Sequence, residues 1–232
     1  MMAIYARWAS VGIGLLVPVA ASAQGTAAEL SAEQRRIVAS GGQVFLTWSV
    51  PTSSWPRACV FERIAGSAEE AAAVFIDYER HRSYIPGLKK SRISRVVDDS
   101  TVEVDYTLDV PVVSDEEYTV RDRLTGSRDS ARYTVEWTLV RASSTKATEG
   151  SVRFEPLGAD GAAAAQTLMT YCNLVTPGSR LAKLGFIKSR AMNQVRETAH
   201  AIAVQVERER ATDRALLAAQ VKRLRDALSV ER

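Results

Sequence analysis

The stretch Val102-Glu103-Val104-Asp105-Tyr106-Thr107-Leu108-Asp109-Val110 alternates apolar and polar residues without a break. Successive side chains of a strand point to opposite faces, so this segment is a strand with one apolar and one wet face. It is the clearest member of a run of six strands expected between about Ser91 and Val175. In the next strand Tyr118, Val120, Asp122 and Leu124 share one face, opposite Thr119, Arg121 and Arg123. Tyr133, Val135, Trp137 and Leu139 form the inward face of its partner, and Val152 with Phe154 that of the strand after. A last strand covers Gln166 to Val175 and is partly apolar on both faces. Upstream, Val44 to Val50 and Arg57 to Ala65 are predicted strands, separated by the turn signal Pro51-Thr52-Ser53-Ser54 with Pro56.

A sheet that is apolar on one face must bury that face, and two helices are available to cover it. Ser67 and Glu70 form a capping box that opens a short amphipathic helix reaching about Arg82, with Ala71, Val74, Phe75 and Tyr78 on one side. Pro177-Gly178 opens a long helix whose stripe is Leu181, Leu184, Lys188, Ala191, Val195, Ala199, Ile202 and Val206. Beyond Glu207 the stripe changes to Leu217, Val221, Leu224 and Leu228, which reads as an extension protruding from the core. A further short helix is expected from Ser31 to Ala39, where Ser31 and Gln34 form another capping box. A curved antiparallel sheet wrapped around one long helix leaves a cavity between the two, and such cavities bind apolar ligands.

The chain has 232 residues, 46% apolar and 25% charged, with a formal net charge of +3. That length suits one domain with a sizeable core. So small a charge, with no basic run interleaved with aromatics, argues against a nucleic-acid partner. At the N-terminus, Arg7, the uncharged run Trp8 to Val19 and Ala21-Ser22-Ala23 before Gln24 have the pattern of a cleaved export signal. The alternative is an uncleaved anchor, for which the apolar run is short. Export predicts a periplasmic or secreted protein. Cys59 and Cys172, an even pair, suit an oxidising compartment.

Three segments resemble the START and polyketide-cyclase (SRPBCC) superfamily. The first runs from Phe61-Glu62-Arg63-Ile64 through Ser67-Ala68-Glu69-Glu70 to Asp77-Tyr78 and Tyr84-Ile85-Pro86. The second, Asp109-Val110-Pro111-Val112-Val113-Ser114-Asp115-Glu116-Glu117-Tyr118, is similar to the family's proline loop and the aromatic strand after it. The third is the last strand with Pro177-Gly178 leading into the long helix. The resemblance covers about Val44 to Arg208 and implies an α+β helix-grip fold, a curved antiparallel sheet around a long C-terminal helix with a ligand cavity between them. It departs in one respect. Eukaryotic lipid-transfer members usually carry Arg-Asp just before the aromatic, where Glu116-Glu117 stand here, so contacts made by that arginine do not carry over. The implied fold sets the strand before the first core helix antiparallel to the last strand. Cys59, early in one, and Cys172, late in the other, then become neighbours, either bonded or as two separate thiols.

The chain therefore divides into an export signal (1–23), an N-terminal helical segment (24–43), a START-like domain (44–208) and a helical extension (209–232). Ligand contacts are expected from Val104, Tyr106, Leu108, Tyr118, Val120, Asp122, Tyr133, Val135, Trp137, Leu139, Val152 and Phe154, roofed by Leu184, Ala191 and Val195. Pro111, Val112 and Val113, apolar where a turn is usually polar, would form a gate. Asp122 has two readings. Either it faces the cavity, with Tyr133 across the strand, and holds the polar head of an apolar ligand, or a bulge turns it toward water or an arginine. The inward aromatics serve as plain core or as pocket wall. Asp77 resembles a residue that the family keeps at the end of its first core helix, which implies local hydrogen bonding. Neither His81, in a polar stretch, nor His200 has a cysteine or carboxylate at metal-ligand spacing, so no metal or cofactor is expected. No phosphate loop or nucleophile elbow is present. Lys89, Lys90, Arg92, Arg180, Lys183, Lys188 and Arg190 flank the two helix starts, either steering toward anionic lipid in transient membrane contact or simply solvated. The expected function is binding or transfer of a lipid or other hydrophobic ligand without chemistry, with the protein partner, if any, unspecified. The alternatives are a cyclase or hydrolase using the same cavity, and an interaction module with a filled core.

Overall fold

The computed structural model describes residues 27–110, 115–157, 165–178 and 185–229. The expected export signal, the gate residues Pro111, Val112 and Val113, the Gly/Ala-rich turn at Gly158 to Ala164, and Leu181 and Leu184 lie outside the described residues.

Among the described residues, eight strands form one antiparallel sheet: β1 Val44–Trp48, β2 Arg57–Ile64, β3 Leu88–Val96, β4 Thr101–Leu108, β5 Glu116–Ser127, β6 Arg132–Ala142, β7 Thr145–Pro156 and β8 Thr167–Pro177. Their spatial order is β1-β2-β8-β7-β6-β5-β4-β3. From β3 to β8 each strand pairs with its successor, and β2 joins the β1–β2 hairpin to the edge of β8. The helices are α1 Ala32–Ala39, α2 Ala68–Phe75, α3 Gly185–Thr212 and α4 Arg214–Leu228. This is the helix-grip architecture expected from the alternation, with α2 and α3 over the inward face. The outward face of β4 and β5 carries a polar ladder: Arg121 donates to Glu103 at 2.7 Å and Thr119 to Asp105 at 2.7 Å.

Several helical expectations need correction. The helix opened by Ser67 ends at Phe75 and does not continue to Arg82; Ile76 and Asp77 intervene before a 3-10 turn, Tyr78–Ser83. Asp77 lies between the two, and its carboxylate accepts from Gln220 Nε2 at 2.9 Å and Arg223 Nη2 at 3.0 Å. Its backbone bonds locally, to Val74 and Arg80, whereas the hydrogen bonds of its side chain are long-range. Both donors belong to α4, which does not protrude. It folds back on α2 and buries Leu217 (5% exposed) and Leu224 (0%) in the main core. Arg225 holds Glu69 with two bonds of 2.7 Å, and Asp213 caps the helix by accepting from Leu216 N at 3.1 Å. On α3 it is Ile187, not Lys188, that is buried.

The other side of the sheet has a core of its own. Leu30, Val38 and Val44 cover Phe61, Leu168, Cys59 and Cys172, so the N-terminal segment with α1 packs on the face opposite the long helix. Cys59 stands directly opposite Cys172 in the β2–β8 register and the two are bonded, with Cα atoms 4.1 Å apart.

Candidate ligand cavity

The inward face of the sheet serves two purposes along its length. At one end α2 and α4 press on it; at the other the sheet and α3 stand apart and enclose a cavity of about 770 Å³. Tyr106 and Leu108 from β4, Tyr118, Val120 and Asp122 from β5, and Trp137 and Leu139 from β6 line it, with Ala191 and Val195 from α3. Val104, Tyr133, Val135, Val152 and Phe154, expected on the wall, are packed in the core instead, Phe154 with its ring centroid 6.1 Å from that of Phe75. A two-residue period assigns a face and says nothing of position along the strand. The turn Tyr78–Ser83, which follows the break after α2, places His81 in the wall.

Asp122 faces inward and is 3% exposed. A bulge does occur nearby, but it falls on the partner strand. Thr119 pairs with Arg141 and Val120 with Leu139, so Val140 is the extra residue and the phase of β5 is unbroken. The cross-strand neighbour of Asp122 is Trp137, not Tyr133, which stands opposite Gly126. Burial pushes the Asp122 carboxyl up to about 8, from an ordinary value of 3.8. The unfolded chain then holds fewer protons than the folded one from about pH 4 to about pH 8, so this group costs stability progressively as pH rises through that window. Asp122→Asn is expected to remove the slope and to gain roughly 1–3 kcal/mol over the native protein at pH 8, with little difference at pH 4. Melting curves of both proteins across that range check it; a difference independent of pH would contradict it.

His81 is 1% exposed, and both of its ring nitrogens are occupied. Nε2 lies 2.6 Å from the Phe75 carbonyl, to which it must donate, so Nδ1 accepts from the Tyr106 hydroxyl at 3.1 Å. Burial lowers the imidazole pKa to about 4, only partly opposed by the Phe75 bond, and the ring is neutral at ordinary pH. This histidine orients Tyr106 and has no free lone pair to act as a base.

Glu116, at the departure from the family pattern, is a clamp. Its carboxylate accepts from the Ser143 hydroxyl at 3.0 Å, the Thr145 amide at 2.9 Å, the Ser144 amide at 3.1 Å and the Ser144 hydroxyl. Burial alone would raise its pKa, but these donors outweigh it and hold the carboxylate below its usual range. The β6–β7 turn is thereby tied to the start of β5.

Sequence reasoning missed several wall residues. Trp55, Tyr171, Asn173 and Phe186 all line the cavity. Trp55 sits in the Pro/Ser-rich connection, where turn composition conceals an inward aromatic. The seat of Trp137 is Gly150, directly opposite it on β7; any Cβ there would collide with the indole and with the Cys172 carbonyl. A lone glycine inside a strand pattern is the signal of such a close approach.

No family model matches the sequence, and no curated protein matches it. Solved structures do share its fold. The chain is similar to the STAR-related lipid transfer protein from Xanthomonas axonopodis at 14% identity, over 72% of this chain and 94% of that one, with a TM-score of 0.60. It is similar to human STARD10 at 14% identity, over 77% of this chain and 78% of that one, with a TM-score of 0.56. A START superfamily protein from Mycobacterium smegmatis aligns at 17% identity over 66% of this chain and 97% of that one, with a TM-score of 0.51. At such identities the likeness is one of architecture, and the chain has the START/polyketide-cyclase fold.

Proposed function

We propose that this protein is an exported carrier that binds, and transfers between membranes, a lipid or other hydrophobic small molecule held in the helix-grip cavity, without chemistry. The observation that carries the reading is the cavity of about 770 Å³ between sheet and α3, within the range of roughly 300–1,000 Å³ usual for small-molecule pockets. So large a space weighs against a module whose core is filled by its own side chains. One neighbour in fold is named as a lipid transfer protein. Both nitrogens of His81 being engaged weighs against acid–base catalysis in the cavity. The sequence pattern of the N-terminus and the Cys59–Cys172 bond support export to an oxidising space.

Membrane contact is assigned to the start of α3. Phe186 lines the cavity yet is 53% exposed, and Lys188 and Arg190 beside it are exposed cations. An exposed aromatic at a cavity rim, flanked by positive charge, suits an anionic bilayer surface. The test is transfer of a pyrene-labelled phospholipid and a pyrene-labelled fatty acid between vesicles containing anionic lipid. The native protein is expected to accelerate transfer of at least one of them. Phe186→Asp should slow that transfer several-fold with the melting temperature unchanged. A native protein that accelerates neither probe would remove transfer from this reading, leaving binding alone.

A further inference from the structure

Two buried polar groups in the cavity wall have no hydrogen-bond partner among the described residues, one on β5 and one in the connection between β1 and β2. One is Asp122 Oδ2 and the other Trp55 Nε1; their residues are 3% and 4% exposed. Buried polar atoms are nearly always paired, so two orphans facing one cavity point to what occupies it. Their separation follows from the sheet. Asp122 pairs with Trp137, Trp137 with Gly150 and Gly150 with Asn173, which places Asp122 and Asn173 on one inward row three strands apart, about 14 Å along the sheet. The connection that carries Trp55 is anchored at the β8 end of that row, at Val175, two residues on from Asn173. Ser53 Oγ accepts from the Trp55 amide at 3.1 Å and donates to the Val175 carbonyl at 3.1 Å, anchoring the connection on β8.

We propose that the cavity recognises an elongated, mainly apolar molecule with an uncharged oxygen group at each end, one meeting the Asp122 carboxyl and the other accepting from Trp55 Nε1. An indole N–H donates only, so the group at that end is an acceptor: a carbonyl, an ether or a hydroxyl oxygen. At the other end no ion pair involves Asp122 among the described residues, and burial keeps its carboxyl protonated at neutral pH. A neutral carboxylic acid both donates and accepts, which a hydroxyl or carbonyl on the ligand answers. Between them the molecule crosses Trp137, Val120 and Leu139, which offer apolar contact. Long-chain diols, hydroxy ketones and hydroxy esters have this chemistry; a simple hydrocarbon does not.

This inference rests on the carrier reading, and the test separates the two. Displacement of a fluorescent apolar dye at pH 7 by a twelve-carbon alkane, its mono-alcohol, its terminal diol and its mono-amine would be measured, with the sixteen-carbon set in parallel. In water the second hydroxyl of a diol must be desolvated, so it weakens binding unless the wall supplies a partner. The native protein is expected to bind the diol about five- to tenfold more tightly than the mono-alcohol in at least one set. Trp55→Phe, which keeps the ring and deletes the N–H, should abolish that preference while leaving the mono-alcohol within about twofold. If alkane and mono-alcohol bind and the diol binds no better in either set, the carrier reading stands and the inference falls. Binding of the amine above the mono-alcohol would overturn the uncharged group at Asp122. If neither the dye nor any of the probes binds, the carrier reading fails and takes the inference with it.

Discussion

A chain ending at Thr212 is expected to lose cooperative folding, even though it keeps the whole sheet and both helices that cover its inward face. Leu217 and Leu224 are buried in the main core against α2, and each contributes about 1.5–3 kcal/mol through the surface it removes from water. Their loss would also expose the apolar residues of α2 beneath them. Asp77 and Glu69 would lose Gln220, Arg223 and Arg225. Against a total stability of about 5–15 kcal/mol, that deficit leaves little margin. Leu224→Ala alone should cost about 2–5 kcal/mol. Urea titrations followed by circular dichroism measure both, and a truncated chain with an unchanged midpoint would return α4 to the role of a free extension.

Breaking the Cys59–Cys172 bond is expected to cost about as much. The two residues are 113 positions apart, and closing a loop near that length stabilises a protein by about 4–5 kcal/mol in the chain-entropy picture. For a domain of this size the melting temperature should fall on the order of 10–15 °C. The bond lies beneath Leu30 and Val38, with the two cysteines 0% and 1% exposed, so reductant should act slowly on the native state. Thermal melts of the oxidised protein and of the Cys59→Ala, Cys172→Ala double variant supply the comparison. Labelling of both thiols in the native, unreduced protein would contradict the bond itself.

The sheet was legible because alternation is a local property. Val102 to Val110 shows its two faces to any reader, and the strand run between turn signals implies the meander from β3 to β8. What escaped depends on tertiary partners. The stripe Leu217, Val221, Leu224 and Leu228 is visible, but nothing local says that it returns to α2, because its polar latch is Asp77, well over a hundred residues away. His81 lies between Arg80 and Arg82 and looks exposed; only the tight 3-10 turn brings it inward, one turn after the buried Tyr78. Asp122 was ambiguous for a different reason. Its orientation hinged on which strand carried a bulge, and Val140 on β6 carries it. The division of the inward face into core and cavity is likewise tertiary, since Val152 and Tyr171 are direct partners in the ladder and only Tyr171 reaches the cavity.

On the carrier reading, the space between sheet and α3 holds an apolar molecule. Native mass spectrometry of protein purified without detergent from the cells that produce it, with organic extraction of the same sample, is the direct measurement. A defined mass increment, lost on denaturation and recovered in the organic phase, is the expected result. A protein that arrives without an increment, yields no extractable species and takes up no apolar dye would contradict it.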